Sequence, residues 1–161
     1  MSVQQEKKKE IEPALIVPFV QSVRKVLATM AQMETTIGRP YGKQKGPSEH
    51  DCSGIIGFSG KVIGTVVVSF PLATASKLVA AFAGDEVDPQ SSDFADAIGE
   101  LTNMIAGAAK PQLGGDANIT VPSVIMGRGH TVSRPSDIPC LVLPCSTVAG
   151  EFIVEIAIRT A

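Results

Sequence analysis

The chain of 161 residues has no tryptophan, one tyrosine and six phenylalanines. Its core therefore has to be built from Val, Ile, Leu and Ala. A large excess of either charge is also missing: 14 basic residues face 16 acidic ones, for a net charge of −2. A binder of phosphate backbones normally carries a basic face, so no nucleic-acid partner is expected. The single basic run, Lys7-Lys8-Lys9, is interleaved with Glu6, Glu10 and Glu12 and reads as a solvated tail. Three cysteines, Cys52, Cys140 and Cys145, are an odd number at no recognisable spacing. That argues against a disulfide framework and for a reducing, cytoplasmic home. No run approaches the roughly 18 apolar residues of a membrane span. The apolar stretch from Ala14 to Val20 is too short for a signal peptide and is broken by Pro18. There is no phosphate loop, and Gly127-Arg128-Gly129-His130 lacks the third glycine of a dinucleotide fingerprint. His50 and His130 are the only histidines. His50, Asp51 and Cys52 are adjacent, but strand neighbours point to opposite faces, so no metal site is expected from them.

What is present is an apolar fraction of 44% against 19% charged residues. Such a composition excludes whole-chain disorder and suits one domain over residues 12–161, preceded by a polar tail at 1–11. A first helix runs to about residue 32, with Phe19, Val23, Val26, Leu27 and Met30 at helical spacing. Pro13 and Pro18 each fit a first turn, which leaves its start open. Residues 34–41 read as a strand and 42–49 as a loop. Residues 52–58 and 61–70 form the clearest strands, joined at Ser59-Gly60. Pro71 and Gly84 bracket a second helix. Ser91, Ser92 and Asp93 offer capping oxygens for a third helix reaching Lys110, where Pro111 stops it. Residues 119–126 contain Pro122, which predicts an edge or bulged strand. Residues 127–139 are loop. Residues 140–147 and 151–159 form a hairpin about Ala149-Gly150, and the last strand alternates with Phe152, Val154, Ile156 and Ile158 on one side. The pattern predicts an α+β fold, a mainly antiparallel sheet with long helices packed on one face.

The third helix carries the strongest chemical signal. Phe94, Ile98, Leu101 and Ile105 fall in one narrow stripe. Asp96, Glu100, Asn103, Gly107 and Lys110 lie on the opposite side, at i, i+4, i+7, i+11 and i+14. Asn is a poor mid-helix residue, and Gly costs up to about 1 kcal/mol against Ala. Two weak helix formers on one solvent face suggest a contact surface: the glycine admits a partner and the asparagine mounts an amide rigidly.

At these residues the sequence resembles the CheX/CheC family of bacterial chemotaxis phosphatases. The family pattern is Asp or Ser, three residues, Glu, two residues, Asn, on a long exposed helix. Asp96, Glu100 and Asn103 fill it, and Gly99-Glu100-Leu101-Thr102-Asn103-Met104-Ile105-Ala106-Gly107 matches CheX versions almost letter for letter. Pro18-Phe19 in the first helix and Gly54-Ile55-Ile56-Gly57 in the first hairpin extend the likeness to about residues 13–160. CheC chains usually carry two such helices. The first helix here has no Glu-x-x-Asn, so the single-site CheX type fits better.

The resemblance implies a CheC-like fold and hydrolysis of the aspartyl phosphate of a CheY-like response-regulator receiver. In that implication Asn103 orients the attacking water and Glu100 pairs with the receiver's lysine. Asp96, Gly107 and Lys110 would contact the partner. Mg²⁺ is expected on the receiver, with no cofactor in this chain. The alternative is a non-catalytic receiver-binding or flagellar-switch-type module of the same fold; the intact Glu100 and Asn103 favour catalysis. A small-molecule binder lacks an inward-facing polar constellation in this reading. Relatives that pair through sheet edges suggest a homodimer, with the Pro122 strand and the last strand as edge candidates.

Overall fold

Of the two possible starts, Pro13 opens helix α1 (Pro13–Met30), so Pro18 sits inside the helix rather than in its first turn. Pro18 removes one helical hydrogen bond. Burial of Leu15, Phe19, Val23, Val26 and Leu27 along the same face offsets that loss. The computed structural model describes residues 11–43, 50–134 and 137–161. The Lys7–Lys9 run and most of the expected tail lie outside the described residues. Ile11, assigned to the tail, packs partly buried against the core.

The expected strand at 34–41 becomes two short ones, β1 (Thr36–Ile37) and β2 (Tyr41–Gly42). Of the expected 42–49 loop, residues 44–49 lie outside the described residues. The first hairpin is β3 (Cys52–Gly60) and β4 (Val62–Phe70). Ser59 and Gly60 belong to β3 rather than to the turn, because they pair with Asn118 and Ala117 on the far side. Helix α2 (Leu72–Ala83) ends at Gly84, whose φ of 81° is left-handed. Helix α3 (Ser92–Ala109) follows and passes into a 3₁₀ turn at Lys110–Gln112. The remaining strands are β5 (Ala117–Ile119), β6 (Ser123–Met126), β7 (Leu141–Thr147) and β8 (Gly150–Thr160). Thr147 pairs with Gly150, so the last turn is Val148-Ala149, one residue before the expected position.

The eight strands among the described residues all join one antiparallel sheet in the order β1-β7-β8-β4-β3-β5, with β2 also on β7 and β6 also on β3. The helices lie on one face, where Cys52, Ile56, Phe58, Val66, Val68, Phe70, Leu143, Val154, Ile156 and Ile158 join the core. The α+β expectation therefore holds.

One edge assignment does not. β8 lies between β7 and β4, near the centre of the sheet. Its alternation was misleading because its second face is also covered: Ala157 and Glu155 are 1% and 4% exposed. The strand through Pro122 is at an edge as expected, split into β5 and β6, both paired to β3.

Candidate functional site

Helix α3 is placed by its two ends and its apolar stripe. At the start, the Ser91 hydroxyl accepts a bond from the Phe94 amide at 3.3 Å, and Asp93 lies in the first turn. A capping oxygen and an acidic residue here answer the unpaired amides of the first turn. Phe94, Ile98, Leu101 and Ile105 are all buried, and each such side chain contributes about 1.5–3 kcal/mol through burial. Thr102 turns inward as well, its hydroxyl donating to the Ile98 carbonyl at 2.8 Å. Ser22 of α1 donates to the Ile105 carbonyl, which ties the two helices together.

The structure brings four of the five residues expected from the sequence, Asp96, Glu100, Asn103 and Gly107, onto one strip of this helix. Asp96 and Glu100 are exposed; Asn103, Gly107 and Lys110 are half-exposed. From Asp96 to Gly107 the strip runs about 16 Å along the axis. Lys110 falls just past the α-helix, at the head of the 3₁₀ turn. Among the described residues, the hydrogen bonds and ion pairs leave the side chains of Asp96, Glu100 and Asn103 unengaged. A Cβ at Gly107 would meet nothing within 4 Å. No neighbour among the described residues demands a glycine there. Gly99 differs: a Cβ there would come within 3.3 Å of Val124 Cγ2 and 3.6 Å of Pro122 Cγ. The arrangement offers carboxylates and an amide on a rigid rod, suited to entering a partner's cleft.

Other chemistry fits less well. Burial pushes the Cys52 thiol up to about 11 and the Cys145 thiol up to about 12, and it raises Cys140 too. Thiols so disfavoured as thiolates are poor nucleophiles. Among the described residues, no group of three or more His, Cys, Asp and Glu is arranged to hold a metal. Asp51 and Cys52 diverge as expected, Cys52 into the core and Asp51 onto Arg128 at 2.8 Å. No described helix is long and apolar enough to cross a membrane.

One polar constellation was not foreseen. On the sheet face away from the helices, Glu155 receives Lys43 at 2.6 Å and Arg134 at 2.5 Å. Beside it, Ser53 bonds Ser69 at 2.7 Å and His130 Nε2 at 2.8 Å. His130 Nδ1 lies 2.7 Å from the Gly127 carbonyl, which can only accept, so Nδ1 carries the proton. The small pocket these residues line is about 20 Å³, room for a single water. The cluster pins the 127–134 loop onto the sheet. Its partners are up to 112 residues apart in sequence (Lys43 to Glu155), so no local motif could reveal it.

The chain is similar to known proteins in sequence and in fold. The family model described as chemotaxis phosphatase CheX matches residues 52–146, a span that contains all of α3. The CheY-P phosphatase CheX of Thermotoga maritima is 33% identical over 142 residues, covering 86% of this chain and 88% of that protein. A CheC-like superfamily protein from Shewanella superposes with a TM-score of 0.83 at 31% identity, over 92% of this chain and 99% of the other. CheX from Borrelia burgdorferi, solved as a complex with CheY, BeF3 and Mg²⁺, gives a TM-score of 0.77 at 29% identity, over 90% and 97% of the two chains. With the CheX model covering more than half of its length and a CheX relative matched along most of it, this chain belongs to the CheX family of chemotaxis phosphatases.

Proposed function

We propose that this protein hydrolyses the aspartyl phosphate of a CheY-like receiver domain, with α3 as the element that enters the receiver's phosphorylation site. The observation that carries the reading is the placement of Asp96, Glu100 and Asn103 on one unengaged face of α3. The Thermotoga maritima relative is named for this activity, and the Borrelia burgdorferi relative was solved with CheY.

An aspartyl phosphate is already an activated acyl phosphate, and the receiver brings its own Mg²⁺ and lysine. What the phosphatase has to add is a water in line with phosphorus. Attack by that water forms one P–O bond and breaks the bond to the aspartate, releasing inorganic phosphate and a free carboxylate. The Asn103 amide both donates and accepts, so it can hold the water in that line without taking its proton. Glu100, one turn away, pairs with the receiver's lysine and seats the helix. Asp96, Gly107 and Lys110 contact the receiver's rim, and Gly107 lets it come close. A hundredfold acceleration needs only about 2.7 kcal/mol, within reach of positioning alone. The chain supplies no cofactor, and the reaction takes place in the cytoplasm.

The protein acts as a homodimer joined at a sheet edge. β8 is central, so the edge is β1–β2, where Tyr41 is 49% exposed; the other edge, β5–β6, adjoins α3 and would crowd the receiver. Light scattering at twice the chain mass at micromolar concentration is expected, and monomer mass would remove the dimer from the proposal.

The test is incubation with a panel of phosphorylated receivers from the same genome, following phosphate release. Accelerated release with at least one receiver is expected. Tight binding with no acceleration would convert the reading to a receiver-binding module.

A further inference from the structure

The strand at residues 117–126 changes register as it passes along β3. Ile55 pairs with Ser123, but Phe58 pairs with Ile119. Two residues on β3, 56 and 57, thus face three on its partner, 120–122, so one extra residue is accommodated there. That is a β-bulge, a feature that re-aims side chains at sheet edges and beside functional sites.

The bulge is held on both sides. The Thr120 amide donates to the Gly57 carbonyl at 3.0 Å, and the Gly57 amide donates to the Thr120 hydroxyl at 2.9 Å. Ser123 resumes the ladder opposite Ile55, and Pro122 restricts the backbone between them. The Pro122 ring packs over Gly99 of α3: a Cβ there would lie 3.6 Å from Pro122 Cγ, in van der Waals contact, and 3.3 Å from Val124 Cγ2. Val121 then projects outward and is 86% exposed.

On the α3 wheel, Gly99 lies about 40° from Asn103 and 60° from Asp96. The bulge therefore borders the asparagine side of the strip. A single exposed valine is ordinary. A rigidly mounted one, on a bulge packed against the signature helix, is not explained by the fold's own stability.

We propose that Val121, carried on the Thr120–Pro122 bulge, is an apolar rim that docks against the receiver beside its phosphorylation site and sets how α3 enters it. This rests on the phosphatase reading above. The occupant is the receiver because Pro122, the residue after Val121, packs on α3 at Gly99, beside the strip that carries Asn103. Val121 is a positioning residue: it touches the partner's surface and no reacting atom.

The test uses the receiver that releases phosphate fastest in the panel. Its BeF3-activated form gives Kd, and its phosphorylated form gives kcat and KM. Val121→Asp is expected to raise both Kd and KM about tenfold, the usual scale for one buried interface side chain. It should leave kcat and Tm unchanged, since the residue is exposed. Val121→Leu should retain wild-type affinity. Unchanged Kd and KM in Val121→Asp, with an active wild type, would overturn the rim and leave the helix mechanism standing. A fall in oligomer mass with unchanged receiver affinity would overturn it too, assigning the ridge to a second copy. A wild type that neither binds nor hydrolyses any receiver would remove the phosphatase reading and the rim together.

Discussion

Thr102 sits directly on Gly54: a Cβ at position 54 would fall 1.9 Å from the Thr102 Oγ1 and 2.9 Å from its Cβ. This contact sets the depth at which α3 lies on β3. Because Asn103 follows Thr102, it is turned about 100° out of the interface. The glycine in the strand thus governs how far the amide stands above the sheet.

Gly54→Ala should therefore destabilise the protein by about 1–3 kcal/mol through overpacking. For a chain of this size that lowers Tm by roughly 2–4 °C per kcal/mol. The double variant Gly54→Ala/Thr102→Ala should recover part of the loss, since the 1.9 Å contact with Oγ1 disappears while the 2.9 Å contact with the Cβ of residue 102 remains. Thermal unfolding of the two variants checks this, and equal Tm values for single and double variants would show that the contact is not the cause.

Asn103→Ala should lower kcat by about a hundredfold, the scale of one lost positioning contact. Position 103 is half-exposed, so truncation opens no core cavity. Alanine is the better helix former, and Tm should hold or rise slightly. Receiver binding, measured with the BeF3-activated form, should be nearly unchanged. Wild-type turnover in this variant would rule out the water-positioning role.

Glu100→Ala should act on docking instead. Losing one member of a partly desolvated charge pair costs about 2–5 kcal/mol. The expected outcome is a large rise in KM and a steep drop in the salt dependence of binding. An unchanged kcat/KM on every receiver tested would refute the pairing with a receiver lysine.

Asp51 caps helix α2 from a distance. Its Oδ2 accepts the Leu72 amide at 2.7 Å, a service that Pro71 at the N-cap cannot perform. That backbone bond, reinforced by Arg128, holds the Asp51 carboxyl below its ordinary value of 3.8. A depressed carboxyl stabilises the fold above its unfolded pKa, and the contribution is lost as pH falls through the folded value. Asp51→Ala should cost about 0.5–2 kcal/mol near neutral pH, as for other capping losses. The difference from wild type should narrow below about pH 4. Urea titrations at pH 7 and pH 3 provide the check, and a gap that stays constant between them would exclude the ionised carboxylate as its source.

Local chemistry was legible in the letters. Ser91 and Pro111 bracket α3, the stripe Phe94, Ile98, Leu101 and Ile105 tells which face is buried, and the spacing of Asp96, Glu100 and Asn103 puts them together on the other. These are properties of one helix, set by a period of 3.6 residues and by capping, and they need no distant partner. Pro122 likewise announced an edge or a bulge, and both are present. Alternation in β8 could report only that one face is apolar. That the other face is buried too was decided by Lys43 and Arg134 closing over Glu155 from distant loops. Strand order, the seat of Thr102 on Gly54 and the packing of Pro122 on α3 at Gly99 were decided in the same way, by contacts between segments far apart in the chain. A sequence states its own periodicity directly, but it does not state which surface will come to lie against it, because that depends on packing every element at once.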